Sequence, residues 1–174
     1  MRFDHSVTVQ APPERVWAIF SDVAKWPEWT STIDSVERLD EGRIHVGAKT
    51  RIRQPKLPVA IWEVTEVVEG EYFEWVSRAP GIRTIGGHRV TVTPEGAVAT
   101  STIIQEGPIG WVFGKLYAGL ARRYLAIEGE SLKKVSEQAT PITDPEPGNR
   151  AAGPGSTGSG SGGSGSGEPA AGPA

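Results

Sequence analysis

The feature that most restricts the fold is the stretch from Ile33 to Gln105, in which strand-like runs follow one another with only turn chemistry between them. Asp40, Glu41 and Gly42 separate Ile33–Leu39 from Arg43–Arg53, and Gln54 to Pro58 leads into Val59–Val68. Glu69 to Glu71 then leads into Tyr72–Arg78, Ala79 to Gly81 into Ile82–Val92, and Thr93 to Gly96 into Ala97–Gln105. Joints rich in Gly, Pro and Asp favour tight turns, because these residues supply positive φ, a preset φ or a local side-chain hydrogen bond. Connections this short join antiparallel neighbours, whereas a parallel pair needs a crossover of a dozen or more residues. The pattern therefore predicts an antiparallel sheet and excludes a doubly wound parallel one.

The flanks have different periods. Phe3, His5, Val7 and Val9 alternate with Arg2, Asp4, Ser6, Thr8 and Gln10, the two-residue period of a strand with one buried face. Pro12 and Pro13 suit a first helical turn, where no amide partner is lost, and Glu14 suits its positive end. Val16, Trp17, Ile19 and Phe20 give that helix an apolar side. Ser21 and Asp22 can cap a second short helix, and Pro27 should drive Trp26 out of helical space, ending the pair around Trp26–Trp29. After Glu106, Gly107 and Pro108 the period turns helical: Ile109, Val112, Phe113, Leu116, Leu120, Tyr124, Ile127, Leu132 and Val135 recur at three- and four-residue steps. This predicts one helix over 109–137, about 43 Å long. Gly114, Gly119 and Gly129 inside it each cost roughly 1 kcal/mol relative to Ala, and mark a close approach, a bend or a weak helix.

Residues 140–174 are dominated by Gly, Pro, Ser and Ala, with Ile142 the only large aliphatic side chain, and are expected to be a disordered tail. Within it Gly153–Gly158 and Gly158–Gly163 match the G-x-G-x-x-G pattern, but neither follows a strand nor opens a helix, so neither reads as a dinucleotide site. Residues 1–139 then form one domain of ordinary size. The chain has no Cys, which removes disulfides, thiolate ligands and thiol nucleophiles. Its 18 Lys and Arg against 21 Asp and Glu argue against nucleic acid as a partner. No run approaches the roughly 18 apolar residues of a membrane span and no secretory leader is visible, so no integral membrane association and a cytoplasmic location are expected.

The order of elements, a strand, two short helices, six further strands and a long C-terminal helix, is that of the α+β helix-grip fold. Residues Val7–Trp17 (VTVQAPPERVW), followed by Phe20, Asp22 and Trp26–Trp29 (WPEW), resemble the N-terminal signature of the SRPBCC superfamily, which groups START-like, pollen-allergen-like and polyketide cyclase/dehydrase-type proteins. Trp62–Val67 (WEVTEV), Phe73–Trp75 (FEW) and the Gly-Pro opening of the last helix continue the likeness, which spans residues 2 to 137. The resemblance implies a curved sheet of about seven strands wrapped around the long C-terminal helix, with an apolar cavity between them for a hydrophobic small molecule. The shared motif is architectural and leaves the ligand open.

Alternation nominates the lining. Trp62, Phe73 and Trp75 fall on inward parities, while Glu63 and Glu74 fall outward. The last helix offers Phe113, Leu116, Tyr117, Leu120 and Tyr124. Such aromatic groups line sites for flat or lipid-like ligands and also fill ordinary cores. His5 and His88 share inward parities with apolar neighbours, so each is either a satisfied core histidine or a group that hydrogen-bonds or exchanges protons with a ligand. The three histidines, at 5, 45 and 88, lack the spacing of a metal site, and no cofactor motif is found in the folded part. Arg43, Lys49, Arg51, Arg53 and Lys56 form a basic stripe that reads as a solvated strand face or as a contact for an anionic partner. Gly86 and Gly87, just before His88, read as a bulge or as room for a ligand at the backbone.

Two functions follow. The first is binding of a lipid, quinone or polyketide-like molecule by a carrier, sensor or chaperone. The alternative is a polyketide cyclase/dehydrase-type enzyme using the same cavity, with His88 as acid/base and Tyr117 or Tyr124 as hydrogen-bond donors.

Overall fold

A computed structural model describes residues 1–138; the predicted tail, 140–174, lies outside them. Seven antiparallel strands form one curved sheet: β1 (Arg2–Val9), β2 (Ser35–Arg38), β3 (Lys49–Arg53), β4 (Ala60–Val68), β5 (Tyr72–Ala79), β6 (Ile82–Thr93) and β7 (Gly96–Glu106), in the order β1-β7-β6-β5-β4-β3-β2. Strands β2 to β7 are a meander, and β1 closes on β7 from Arg2 opposite Ile104 to Val9 opposite Ala97.

Helix α1 (Pro13–Ser21) buries Val16, Trp17 and Phe20 against the sheet. A 3-10 turn (Val23–Lys25) passes into the single turn α2 (Trp26–Trp29). Pro27 does not expel Trp26 from helical space: Trp26 has φ −54° and ψ −39°, and Pro27 stands in the first turn, where a missing amide hydrogen costs nothing. The Trp26 indole donates to the Phe20 carbonyl at 3.0 Å, which pins α2 to α1.

The predicted single C-terminal helix is two helices, α3 (Pro108–Leu116) and α4 (Ala118–Glu137). They meet at Tyr117, φ −102° and ψ 10°, while the hydrogen-bond ladder continues through Tyr117 N–H to Phe113 O and Ala121 N–H to Tyr117 O, each 2.8 Å. Helix α3 packs over β6 and β7, whereas α4 crosses β1 and β7 and reaches α1. Gly129 permits the close approach of α4 to β1, since a Cβ there would lie 2.8 Å from His5 Cδ2 and 3.0 Å from Val7 Cγ1.

Two further expectations need correction. The Arg43–Arg53 run forms a strand only from Lys49, so its basic face is shorter than the alternation implies. There, Arg51 pairs with Glu37 and Lys49 with Glu63 across neighbouring strands, and Arg43 pairs with Glu69, all exposed. Such pairs contribute little net stability. The bulge falls between Val64 and Glu66 on β4, where the buried parity passes from Trp62 and Val64 to Val67, and not at Gly86–Gly87. Gly86 and Gly87 sit in unbroken register with both neighbouring strands. Gly86 instead makes room for the Trp75 indole, whose Nε1 would lie 2.3 Å from a Cβ at that position.

Candidate functional site

A cavity of about 640 Å³ opens between one end of the sheet and the last two helices. Ala60, Ile61 and Trp62 of β4, Ser77 to Ala79 of β5, and Ile103 and Gln105 of β7 form its strand wall. Ile109 and Phe113 of α3 and Tyr117, Leu120, Tyr124 and Glu128 of α4 form its helix wall. Leu57 to Val59 complete it from the β3–β4 loop, to which α4 is tied by the Tyr124 hydroxyl donating to the Pro55 carbonyl at 2.5 Å. That bond engages the hydroxyl nominated above as a ligand donor. Phe113 and Tyr117 stack at 4.6 Å across the helix break.

The structure brings five of the nominated residues, Trp62, Phe113, Tyr117, Leu120 and Tyr124, to this wall. Phe73 is not there: it is fully buried beneath Trp17, Phe20 and His88, in the core behind the cavity. Leu116 is not there either; at 73 % exposure it faces outward, because the break at Tyr117 removes the helical phase that a continuous rod would give it. Ile109, Trp111 and Val112 are also substantially exposed on α3. Trp75 and His88 line a second recess of about 40 Å³, whose other walls include Trp26, Trp62 and Glu128.

His88 is 4 % exposed and is enclosed by rings, stacked on Phe73 at 4.4 Å and edge-on to Phe20, Trp26 and Trp75. Burial pushes its pKa down to about 3, so the ring is neutral. Strand register sets His5, Ser101 and His88 side by side across β1, β7 and β6. Above this row α4 places Glu128, 8 % exposed, with the Ser101 hydroxyl donating to its Oε1 at 2.7 Å. His88 Nε2 stands 3.7 Å from the same oxygen, too far for a hydrogen bond. Burial drives the carboxyl pKa up to about 7, partly opposed by the Ser101 bond. Desolvation thus favours the neutral form of both groups, and they are not an ion pair. Among the described residues, His5 Nε2 and His88 Nδ1 are buried without a hydrogen-bond partner.

Glu128 is absent from the sequence reading, although a signal for it exists. Leu120, Tyr124, Glu128 and Leu132 follow at four-residue steps, so the carboxyl falls on the apolar stripe of its own helix.

The stability of the folded chain should carry this signature. Because the folded pKa of Glu128 is above its ordinary 4.5, its contribution is fully present below about 4.5 and lost as pH rises through about 7. His88, lowered from 6.5 to about 3, contributes above 6.5 and loses that contribution as pH falls through about 3. Glu128→Gln should therefore gain on the parent by on the order of 2–3 kcal/mol between about pH 4.5 and pH 7. Urea unfolding at both pH values measures it, and an unchanged difference would mean that the carboxyl is not held protonated.

Comparison with known proteins gives one family and many structures. A family model described as polyketide cyclase / dehydrase and lipid transport matches residues 1–137. A START superfamily protein from Mycobacterium smegmatis is similar at TM-score 0.62 and 19 % identity, over 80 % of this chain and 99 % of that one. The Zhui aromatase/cyclase from Streptomyces sp. R1128 is similar at TM-score 0.61 and 18 % identity, over 79 % and 93 %. A protein from Mesorhizobium loti matches at TM-score 0.61 and 17 % identity, over 78 % and 96 %. At these identities the likenesses show the fold. Among the described residues no helix is long and apolar enough to cross a membrane.

Proposed function

The chain belongs to the polyketide cyclase / dehydrase and lipid transport family, and on that premise we propose that residues 1–139 bind a hydrophobic small molecule between the sheet and the last two helices, as a carrier, sensor or chaperone. The observation that carries this reading is the cavity of about 640 Å³, large enough for a lipid- or polyketide-sized ligand and walled mainly by apolar and aromatic side chains.

The enzymatic alternative, with His88 as acid/base, has less support. The ring opens on the 40 Å³ recess, not on the cavity, and burial holds it neutral far below physiological pH. An acid/base group serves best with a pKa near the working pH.

The test is saturable binding of Nile red, displaced by long-chain or polycyclic molecules. Leu120→Trp, which projects a larger ring into the cavity, should weaken dye binding by roughly tenfold or more, and Trp62→Leu should weaken it too. Trp17→Leu should lower stability and spare affinity, because Trp17 packs on Phe73 away from the cavity wall. Absence of saturable binding, or undiminished binding by Leu120→Trp, would refute the reading.

A further inference from the structure

The helix wall of the cavity ends in a carboxylic acid with an oxygen to spare. Glu128 lines both the cavity and the recess. Ser101 occupies Oε1, and among the described residues Oε2 has no hydrogen-bond partner. Against it lie His88 from β6 and Ser101 from β7; the indoles of Trp26 and Trp62 share the recess with it, His5 of β1 packs on the neighbouring Gly129, and Gln54 and Gln105 stand further along the walls. No Lys or Arg pairs with it among the described residues; Arg78, the one cation of the cavity wall, is exposed at the end of β5. An unpaired acid in apolar surroundings is costly to bury unless something completes its hydrogen bonding.

We infer that Glu128 anchors the head of the ligand: its free oxygen side hydrogen-bonds an uncharged carbonyl or hydroxyl group at the buried end of an otherwise apolar molecule, whose body extends along α4 toward α3. This rests on the binding reading above and adds the chemistry of the ligand's inner end. A protonated Glu128 donates to a carbonyl oxygen, and an ionised one accepts from a hydroxyl. A carboxylate head is rejected there, since two acid groups would compete for one proton in a desolvated site. An anionic amphiphile must lie the other way, its head toward Arg78.

The experiment displaces Nile red from the full chain with tridecanone, dodecanol and dodecanoate, at about pH 6 and about pH 8. Glu128→Leu should weaken tridecanone and dodecanol by roughly tenfold, the effect of one buried hydrogen bond, and leave dodecanoate unchanged or tighter. Glu128→Gln keeps a donor and an acceptor and should retain both neutral ligands. In the parent, tridecanone affinity should fall as pH rises through about 7 while dodecanol affinity holds; in Glu128→Gln neither should respond. The carbonyl stretch of bound tridecanone should shift to lower frequency in the parent and not in Glu128→Leu, a readout that a purely structural carboxyl would not move. Equal losses for all three ligands, or no loss for the neutral pair, would overturn the inference with cavity binding intact. Failure of every ligand and of the dye would instead remove the binding reading itself.

Discussion

Ending the chain before Pro108 should leave no cooperatively folded domain. The cut removes α3 and α4, and with them Leu125 and Leu132, which are 5 % and 0 % exposed. Burial of two such side chains contributes about 1.5–3 kcal/mol each, and the sheet residues they cover lose a comparable amount. Val7, Val9, Ala97 and Ala99, all buried on the concave face, would meet water, and so would His5 and Ser101, which α4 covers at Gly129 and Glu128. Against a total stability of about 5–15 kcal/mol for an ordinary domain, these losses are decisive. The remaining sheet would expose an apolar face larger than the few hundred Å² that soluble monomers tolerate, so it should aggregate. Near-ultraviolet circular dichroism and urea titration of the truncated chain check this; a sharp, reversible transition would contradict it.

Gly86→Ala should destabilise the domain by about 3 kcal/mol, at the upper end of the usual cost of overpacking. The new methyl would lie 2.3 Å from Trp75 Nε1 and 2.7 Å from its Cδ1. The indole cannot swing aside, because Trp26, Trp62, Phe73 and His88 surround it at ring separations of 5.4, 5.2, 5.6 and 5.4 Å. Displacement would pass to Trp62, so dye affinity should fall together with stability. Gly87→Ala is the matched control. Its methyl would meet the tip of Tyr72 at 3.2 Å, on the other face of the sheet, where a small side-chain shift relieves the contact. Urea unfolding of both variants separates the cases, and equal costs would show that Gly86 is not there to seat the indole.

The sheet was legible because strand alternation is a local signal: each run has to hide one face, and short turns leave antiparallel neighbours as the only partners. Alternation carried Trp62 and Trp75 inward correctly, and helical spacing brought Phe113, Tyr117, Leu120 and Tyr124 to the cavity wall. It failed where the phase slips. The break at Tyr117 turned Leu116 outward, and the bulge after Val64 reversed the parity of β4. Two adjacent glycines read as a bulge because sequence shows the missing side chain and not the indole that occupies its place.

Glu128 shows the limit most sharply. Its charge suggests solvent, while its position on the stripe of Leu120, Tyr124 and Leu132 places it under the helix, and only the packing of α4 onto the sheet decides between them. By itself, the sequence determined the element order, the antiparallel meander, the apolar character of the concave face and the family. Tertiary structure alone decided the helix break, the extent of the cavity and the meeting of His5, Ser101, His88 and Glu128. Alternation and turn chemistry act between residues a few positions apart, whereas those four groups come from β1, β7, β6 and α4 and meet through strand register and one close helix approach at Gly129.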